Sequence, residues 1–428
     1  MNLLTTTYDL LKNLKEGKYT FSALMNKKIG ECNLDELDKN YVKNSLKCVV
    51  NRYHTLRFQI LEEFKTNDDV LLDYLIIGLS YLLFVKGFSK QDLLTQLQEV
   101  SAKNHYDLDM SIIESVYDHI LEKPYDKLVG IYEDNFIKKT ALLYSYPEWI
   151  VGMVKKQYGS KNAYKSFAAT RKTKKDITVC LNPMEDSNEI SKDPSFKKEE
   201  YASTAYSYEG VDSLVKVDLF RKKKIYVMDG SEQILADFFN PLQSENILIF
   251  GEQKSLLALT CAYKMNDFGV VNYFAPDSAS YFDAKTKVKS FGVKSLNVEE
   301  ADYNLLCTHL EYESCDRVLC MPKNTRLGEV RKYPEILLQL KQSDLDGIIA
   351  YQKEAINETS KYVKKGGMLF YSVTTLNAKE SMHLVHNFLE DHKDFALVEE
   401  KMVFPYEYKT SGIYFAKLKK NEMEEQHD

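Results

Sequence analysis

No pair of the seven cysteines in this 428-residue chain has Cys-x-x-Cys spacing, and an odd number cannot all pair with one another. A zinc ribbon and a disulfide framework are set aside on that ground, and reduced, cytoplasmic thiols are expected. The chain also lacks a long apolar run. Its longest, Leu71 to Val85, is interrupted by Asp73, Gly78 and Ser80. A membrane span needs roughly 20 apolar residues, so a buried core helix is expected here. Met1 to Gly17 mixes apolar side chains with Asp9, Lys12, Lys15 and Glu16, a pattern unlike a secretory leader. Positive charge is not in excess: 57 Lys and Arg against 63 Asp and Glu leave a net charge of -6. That argues against a uniformly basic nucleic-acid coat and leaves room for a local basic face. No internal repeat is visible.

What is present is an ordinary globular composition, 44% hydrophobic and 28% charged, over a length that suffices for two or three domains. Residues 1–125 read as an all-helical bundle. Apolar side chains recur at helical spacing at Tyr8, Leu10, Leu11 and Leu14, and again at Leu34, Leu37, Tyr41, Val42 and Leu46. Ser89 with Asp92 opens Leu93–Val100 as a capping box does, and a further helix runs from Asp109 to Leu121, ahead of Pro124. Residues 126–240 read as a smaller α+β unit. A helix from Pro147 to Tyr158 is capped by Gly159, and β runs follow at Asp176–Leu181, Ser213–Lys216 and Lys224–Val227, with Asn182–Glu200 a polar loop. From 241 to 420 strands at Asn246–Phe250, Val270–Phe274, Arg317–Cys320, Met368–Ser372 and Gly412–Lys417 alternate with helices at Lys254–Met265, Ser278–Phe291, Ser343–Val363 and Glu380–His392. Such alternation specifies a parallel, doubly wound α/β sheet. Residues 421–428 form an acidic tail, expected to fray.

The most informative stretch is Cys315-Asp316-Arg317-Val318-Leu319-Cys320-Met321-Pro322-Lys323-Asn324-Thr325-Arg326-Leu327-Gly328. It reads as a buried strand entering a loop, where an open α/β sheet presents its chemistry. Four shorter markers accompany it: Tyr8-Asp9-Leu10-Leu11, Tyr146-Pro147-Glu148-Trp149 with Tyr158-Gly159, Val227-Met228-Asp229 with Gln233, and Arg331-Lys332-Tyr333-Pro334-Glu335-Ile336. A fifth is Lys365-Gly366-Gly367-Met368-Leu369-Phe370-Tyr371-Ser372. The last two are the most specific. Together these motifs make nearly the whole chain resemble the Sun (Fmu/RsmB) family of bacterial 16S ribosomal RNA cytosine-C5 methyltransferases. The resemblance implies a class I, Rossmann-like methyltransferase domain at 241–420. A NusB-like helical domain at 1–125 and an RNA-recognition-like domain at 126–240 would precede it. S-adenosylmethionine would be the cofactor and RNA the partner.

The departures bear on chemistry. Carbon 5 of cytosine is a poor nucleophile until a thiolate adds to the neighbouring carbon. A thiol manages this near neutral pH because its pKa is about 8.5 and can be lowered further. A threonine hydroxyl or an asparagine amide cannot. By resemblance the family's catalytic cysteine falls at Thr374, and its second cysteine at Asn324, or at Lys323 if the neighbouring proline is matched. The family's Pro-Gly-Gly-Lys loop reads Gly251-Glu252-Gln253-Lys254, with a single glycine, and the acid nearest the end of the second strand is Asp277. Asp302 fits the family's third acid. The cofactor positions are therefore Gly251, Asp277 and Asp302, and their erosion argues against binding.

Cys320 is the remaining thiol near the site; a buried small residue is the plainer reading. Cys315, Cys320 and His309, like His383 and His386, are not spaced as a metal site, and no metal is expected. A basic run is more pointed. Val151 to Lys175 holds Lys155, Lys156, Lys161, Lys165, Arg171, Lys172, Lys174 and Lys175 without one acid, with Tyr158, Tyr164 and Phe167 interleaved. This is the composition of a surface that neutralises phosphates and stacks bases. Arg221-Lys222-Lys223-Lys224 extends it, Asn182 matches an RNA-facing family asparagine, and Arg331 and Lys332 are expected, with Arg326, at the mouth of the old active site. The expectation is a monomeric RNA-binding pseudo-methyltransferase acting on ribosomal RNA or ribosome assembly, with no membrane contact. Two alternatives stay open: an active RNA (cytosine-5) methyltransferase with an atypical site, and a protein-interaction scaffold whose NusB-like bundle docks a partner.

Overall fold

The computed structural model describes residues 2–123, 125–171 and 177–422. They fall into two compact units: Met1–Arg171 with Val330–Gln342, and Lys172–Glu329 with Ser343–Asp428.

The first unit is helical, and its side chains show why each helix starts where it does. Asp35, Ser89 and Asp109 each cap a helix by accepting a backbone N–H, from Asp38, Asp92 and Ser111 respectively. Helix Glu36–Glu63 packs along Asp69–Phe84, the apolar run noted above, in which every residue from Leu71 to Tyr81 is buried. Asp73 interrupts that run because it has partners: the Lys15 ammonium at 2.6 Å and the Tyr53 hydroxyl at 2.8 Å. The helical segment Glu148–Thr170 breaks at Gly159, where the first helix was expected to end. Gly159 leaves helical geometry (φ 79°) and the helix resumes beyond it.

The segment Val330–Gln342 belongs to this helical unit. Glu335 accepts the Phe21 N–H at 3.0 Å, Gln339 donates to the Leu14 carbonyl at 2.7 Å, and His54 Nε2 donates to the Leu337 carbonyl at 2.9 Å. The Arg-Lys-Tyr-Pro-Glu-Ile motif thus serves as a buttress for helices.

The second unit carries two sheets. Strands β1 (Ile177–Leu181), β2 (Phe196–Lys198), β3 (Ala205–Tyr208) and β4 (Ile225–Val227) form an antiparallel sheet in the order β2-β3-β1-β4. The run expected as a strand at 213–216 is a short 3₁₀ turn, Leu214–Lys216. The polar loop expected at 182–200 holds the helix Asn188–Lys192 and β2. The second sheet contains β5 (Asn246–Gly251), β6 (Val270–Ala275), β7 (Leu296–Glu300), β8 (Cys315–Met321), β9 (Val363–Val373), β10 (Phe395–Val403) and β11 (Ile413–Lys420). Its order is β10-β11-β9-β8-β5-β6-β7. The pairs from β9 through β7 are parallel, and β11 is antiparallel to both its neighbours. This is the doubly wound, Rossmann-like sheet expected from the sequence. Alternate residues of β5 face opposite layers: Ile247 and Ile249 join the core with helices Ser255–Lys264 and Ser278–Phe291, while Leu248 and Phe250 join that of Leu345–Ser360 and Met382–Asp391. The strand order reverses between β5 and β8, and the carboxyl ends of these strands are where such sheets hold ligands.

Among the described residues no helix is long and apolar enough to cross a membrane, and no group of three His, Cys, Asp or Glu is gathered as for a metal ion.

His54 makes the helical unit's stability depend on pH. Burial, aided by Arg171, Arg57 and Lys15, pushes its pKa down to about 4 from 6.5 despite the Leu337 hydrogen bond. The unfolded chain therefore binds more protons between these values. Stability from this group is full above about pH 6.5 and lost as pH falls toward 4, by up to about 1 kcal/mol per pH unit. Denaturation of His54→Gln across that range is expected to show a flatter profile than the parent.

Candidate functional site

The site at the carboxyl ends of β5 and β8 starts from a glycine. Gly251 adopts φ +154°, and a Cβ there would lie 2.4 Å from the Met321 carbonyl oxygen. Only glycine lets the two strand ends approach this closely. The following turn is braced from within. The Tyr273 hydroxyl, from β6, donates to the Gly251 carbonyl at 2.8 Å and accepts the Lys254 N–H at 3.2 Å. The Gln253 N–H goes to Ser280 Oγ at 2.9 Å. Backbone amides that a glycine-rich loop would turn toward a cofactor are engaged by side chains here. Lys254 is drawn inward to Glu232 at 3.0 Å. Burial opposes its charge, but the Glu232 and Glu329 carboxylates outweigh it and hold its pKa above the ordinary lysine value. Glu252, half-buried, has its pKa raised by burial with help from Asp277, against Lys323, Arg326 and Lys254.

The two acids expected at the cofactor are also engaged. Asp277 caps helix Ser278–Phe291, accepting the Ser280 N–H at 2.9 Å and its hydroxyl at 2.6 Å. Asp302 accepts the Tyr303 N–H and the Tyr351 hydroxyl, both at 2.8 Å. The rings of Tyr303 and Tyr351 meet edge-on, centroids 5.1 Å apart.

The loops after β8 and β9 bring Thr374 and Asn324 together, 3.4 Å between Thr374 Oγ1 and Asn324 Oδ1. Lys323 contributes its carbonyl to Gln352 instead. Beside them lies a carboxylate absent from the sequence reading. Glu380 has no solvent exposure. It accepts the Thr325 N–H (2.8 Å), the Thr325 hydroxyl (2.7 Å), the Thr375 hydroxyl (2.9 Å) and the Gln352 amide (3.1 Å). Its only sequence signal was position, an acid just past two threonines that follow an apolar strand. A backbone stitch completes the closure. Gly328 donates to the Thr374 carbonyl at 3.0 Å and its own carbonyl accepts the Gly412 N–H at 2.9 Å.

Cys320 is fully buried in the apolar core beneath, and burial pushes its thiol up to about 12. A thiol so held is protonated near neutral pH.

The residues expected to face RNA separate into groups. On helix Glu148–Thr170, Lys156, Lys161, Tyr164 and Lys165 are exposed, and the half-buried Lys155 lies with its ammonium 5.2 Å from the Phe136 ring centroid. Phe167, expected among the interleaved aromatics, is core. Arg171 is a correction: its guanidinium turns inward to the Tyr144 and Ser145 carbonyls at 2.6 and 2.9 Å, because the end of helix Phe136–Tyr144 leaves carbonyls to satisfy. Asn182 is another. It is buried and accepts the Met184 N–H at 3.0 Å, shaping the turn after β1. Lys172, Lys174 and Lys175 lie outside the described residues. Arg331, half-buried, and Lys332, exposed, belong to the segment that packs with the helical unit. Of the second basic cluster, Arg221 and Lys222 pair with Asp218, and Lys224 with Glu185 and Glu189.

The family model for 16S rRNA methyltransferase RsmB/F matches residues 274–419. The chain is similar to the probable ribosomal RNA small subunit methyltransferase B of Bacillus subtilis (strain 168), 22% identical over 315 residues, covering 66% of this chain and 68% of that protein. Its fold is similar to the crystal structure of PH0851, with a TM-score of 0.74 at 19% identity, covering 96% of this chain and 97% of that one. It is also similar to NSun6 from Pyrococcus horikoshii with SFG, with a TM-score of 0.57 at 15% identity, covering 64% and 98%.

Two substitutions test the closure. A Cβ at Gly328 would lie 2.0 Å from the Gly412 carbonyl oxygen, so Gly328→Ala is expected to cost about 1–3 kcal/mol. Glu380→Ala strands several buried donors, each worth about 1–3 kcal/mol. Its loss should exceed that of Gly328→Ala in chemical denaturation.

Proposed function

We propose that this chain, which belongs to the Sun (RsmB/F) family of 16S rRNA methyltransferases, binds RNA in the cytoplasm without transferring a methyl group to it. The observation that supports this is the contact between Thr374 and Asn324. Both positions where the resemblance puts a family cysteine carry side chains unable to add to a pyrimidine. Cys320, on the strand that leads into this loop, is buried, and its thiol is pushed up to about 12.

S-adenosylmethionine supplies the methyl group in this family. The residues present do not suit it: the Gln253 and Lys254 amides, Asp277 and Asp302 all have internal partners. RNA binding draws support from the acid-free stretch Val151–Thr170 with its exposed Lys156, Lys161 and Lys165, and the energy would come from releasing counterions from phosphates. NusB-like and RNA-recognition-like roles for residues 1–125 and 126–240, a monomeric state and a ribosomal target belong to the same proposal.

Incubation of the pure protein with labelled S-adenosylmethionine and small-subunit rRNA is expected to leave the RNA unlabelled. Label in cytosine would overturn the reading. The same protein should bind structured RNA with affinity falling steeply as salt rises. The double variant Lys156→Glu, Lys161→Glu should lose about tenfold or more at moderate salt, with a shallower salt slope. Absence of RNA binding by the parent would defeat the proposal.

A further inference from the structure

Resting on the RNA-binding reading, we propose that the aromatic loop at 404–412 is a stacking platform for an unpaired base of single-stranded RNA. The loop joins β10 to β11. Val403 pairs with Ile413 and Tyr414 with Val373, so it emerges at the same end of the sheet as the loops after β8 and β9.

Its base is fixed. Pro405, Thr410, Ser411 and Gly412 are buried. Gly412 is tied to Gly328 as described, and the Ser411 N–H and hydroxyl reach Asp229 at 3.3 and 3.2 Å. A Cβ on Gly230 would lie 2.4 Å from Thr410 Cγ2 and 2.8 Å from Tyr201 Oη. The bare glycine therefore lets the loop and Tyr201 close in together.

Its tip presents rings. Phe404 and Tyr406 are stacked, 7° from parallel with centroids 5.5 Å apart. Tyr408 is 39% exposed and leans on Tyr201 at 5.7 Å. The exposed Lys401 holds its ammonium 5.9 Å from the Tyr408 ring centroid, and Lys409 is exposed beside it. The Glu407 carboxylate is turned back to the Phe404 N–H at 2.9 Å. Apolar ring faces held on a rigid base, with cations beside them, fit a planar base and its phosphates. Stacking of this kind is tolerant of sequence and requires an unpaired base.

The test is anisotropy titration of the full chain with a single-stranded oligonucleotide and with the fully paired duplex of the same sequence. Tyr406→Ala and Tyr408→Ala should each weaken the single strand several-fold, about tenfold together. The duplex should be little affected, and Tyr408→Phe should behave as the parent. A 4-thiouridine single strand should crosslink to the tryptic peptide Met402–Lys409, a measurement on unmutated protein that folding defects cannot confuse. If the parent binds single strands but neither variant weakens them and no crosslink falls on that peptide, the platform is wrong while RNA binding stands. If the parent binds no RNA, both readings fall.

Discussion

The buried carboxylate of Glu380 is the constraint on which the loops at the carboxyl ends of β8 and β9 depend. A charge without solvent must be met by donors, since leaving it unpaired costs several kcal/mol. The donors come from Thr325 in the loop after β8, Thr375 in the loop after β9, and Gln352 on helix Leu345–Ser360. Neither loop can move without breaking this set. Thr374 and Asn324, next to the two threonines, are thereby held against each other. In a cysteine-dependent methyltransferase the same two loops would have to present sulfur to a pyrimidine ring. Here they present a hydroxyl and an amide, already in contact.

The cofactor side obeys the same logic. Tyr273 and Ser280 take the turn amides, and Tyr351 takes Asp302. Each is a long or well-placed polar side chain filling hydrogen-bonding capacity that a ligand would otherwise need to satisfy. Sites built for ligands carry strain and unmet polar groups that reduce stability. Here the turn amides and Asp302 are met internally, while the Gln352 amide oxygen beside Glu380 stays buried without a hydrogen-bond partner.

Much of this was legible in the sequence, and the exceptions have physical causes. Helix starts at Ser89 and Asp109 were readable because a short polar side chain precedes each apolar face. The central strands β5, β6, β8 and β9 were readable because strands covered on both faces are runs of apolar residues. β7 and β10 were not, since edge strands expose most of their side chains and read as polar segments. β3 was missed because Ala-Tyr-Ser-Tyr is buried throughout and shows no alternation. At the site, the residue types at Thr374, Asn324 and Gly251 were readable from motif position alone. The roles of Glu380, Tyr273 and Tyr351 were not, because each acts on residues that only the fold brings near. Arg171 and Asn182 show the converse: residue type suggested an RNA contact, whereas unmet backbone groups nearby claimed both side chains.

If the chain is inactive, as proposed above, these interlocks also set how far it lies from catalysis. Sulfur at Thr374 alone would enter a loop still pinned by Glu380, opposite an Asn324 that offers no thiol to expel the product. Cofactor would still meet a turn whose amides face Ser280 and Tyr273, and an acid held by Tyr351. The Glu380 bonds are buried, and removing one leaves its partner unmet at about 1–3 kcal/mol, whereas those of Ser280, Tyr273 and Tyr351 are part-buried and cost less. On the proposed reading, sequences that undo one of these bonds at a time would therefore be less stable than this one. On the proposed reading, the hydrogen bonds that hold these two loops also make the exchange hard to reverse.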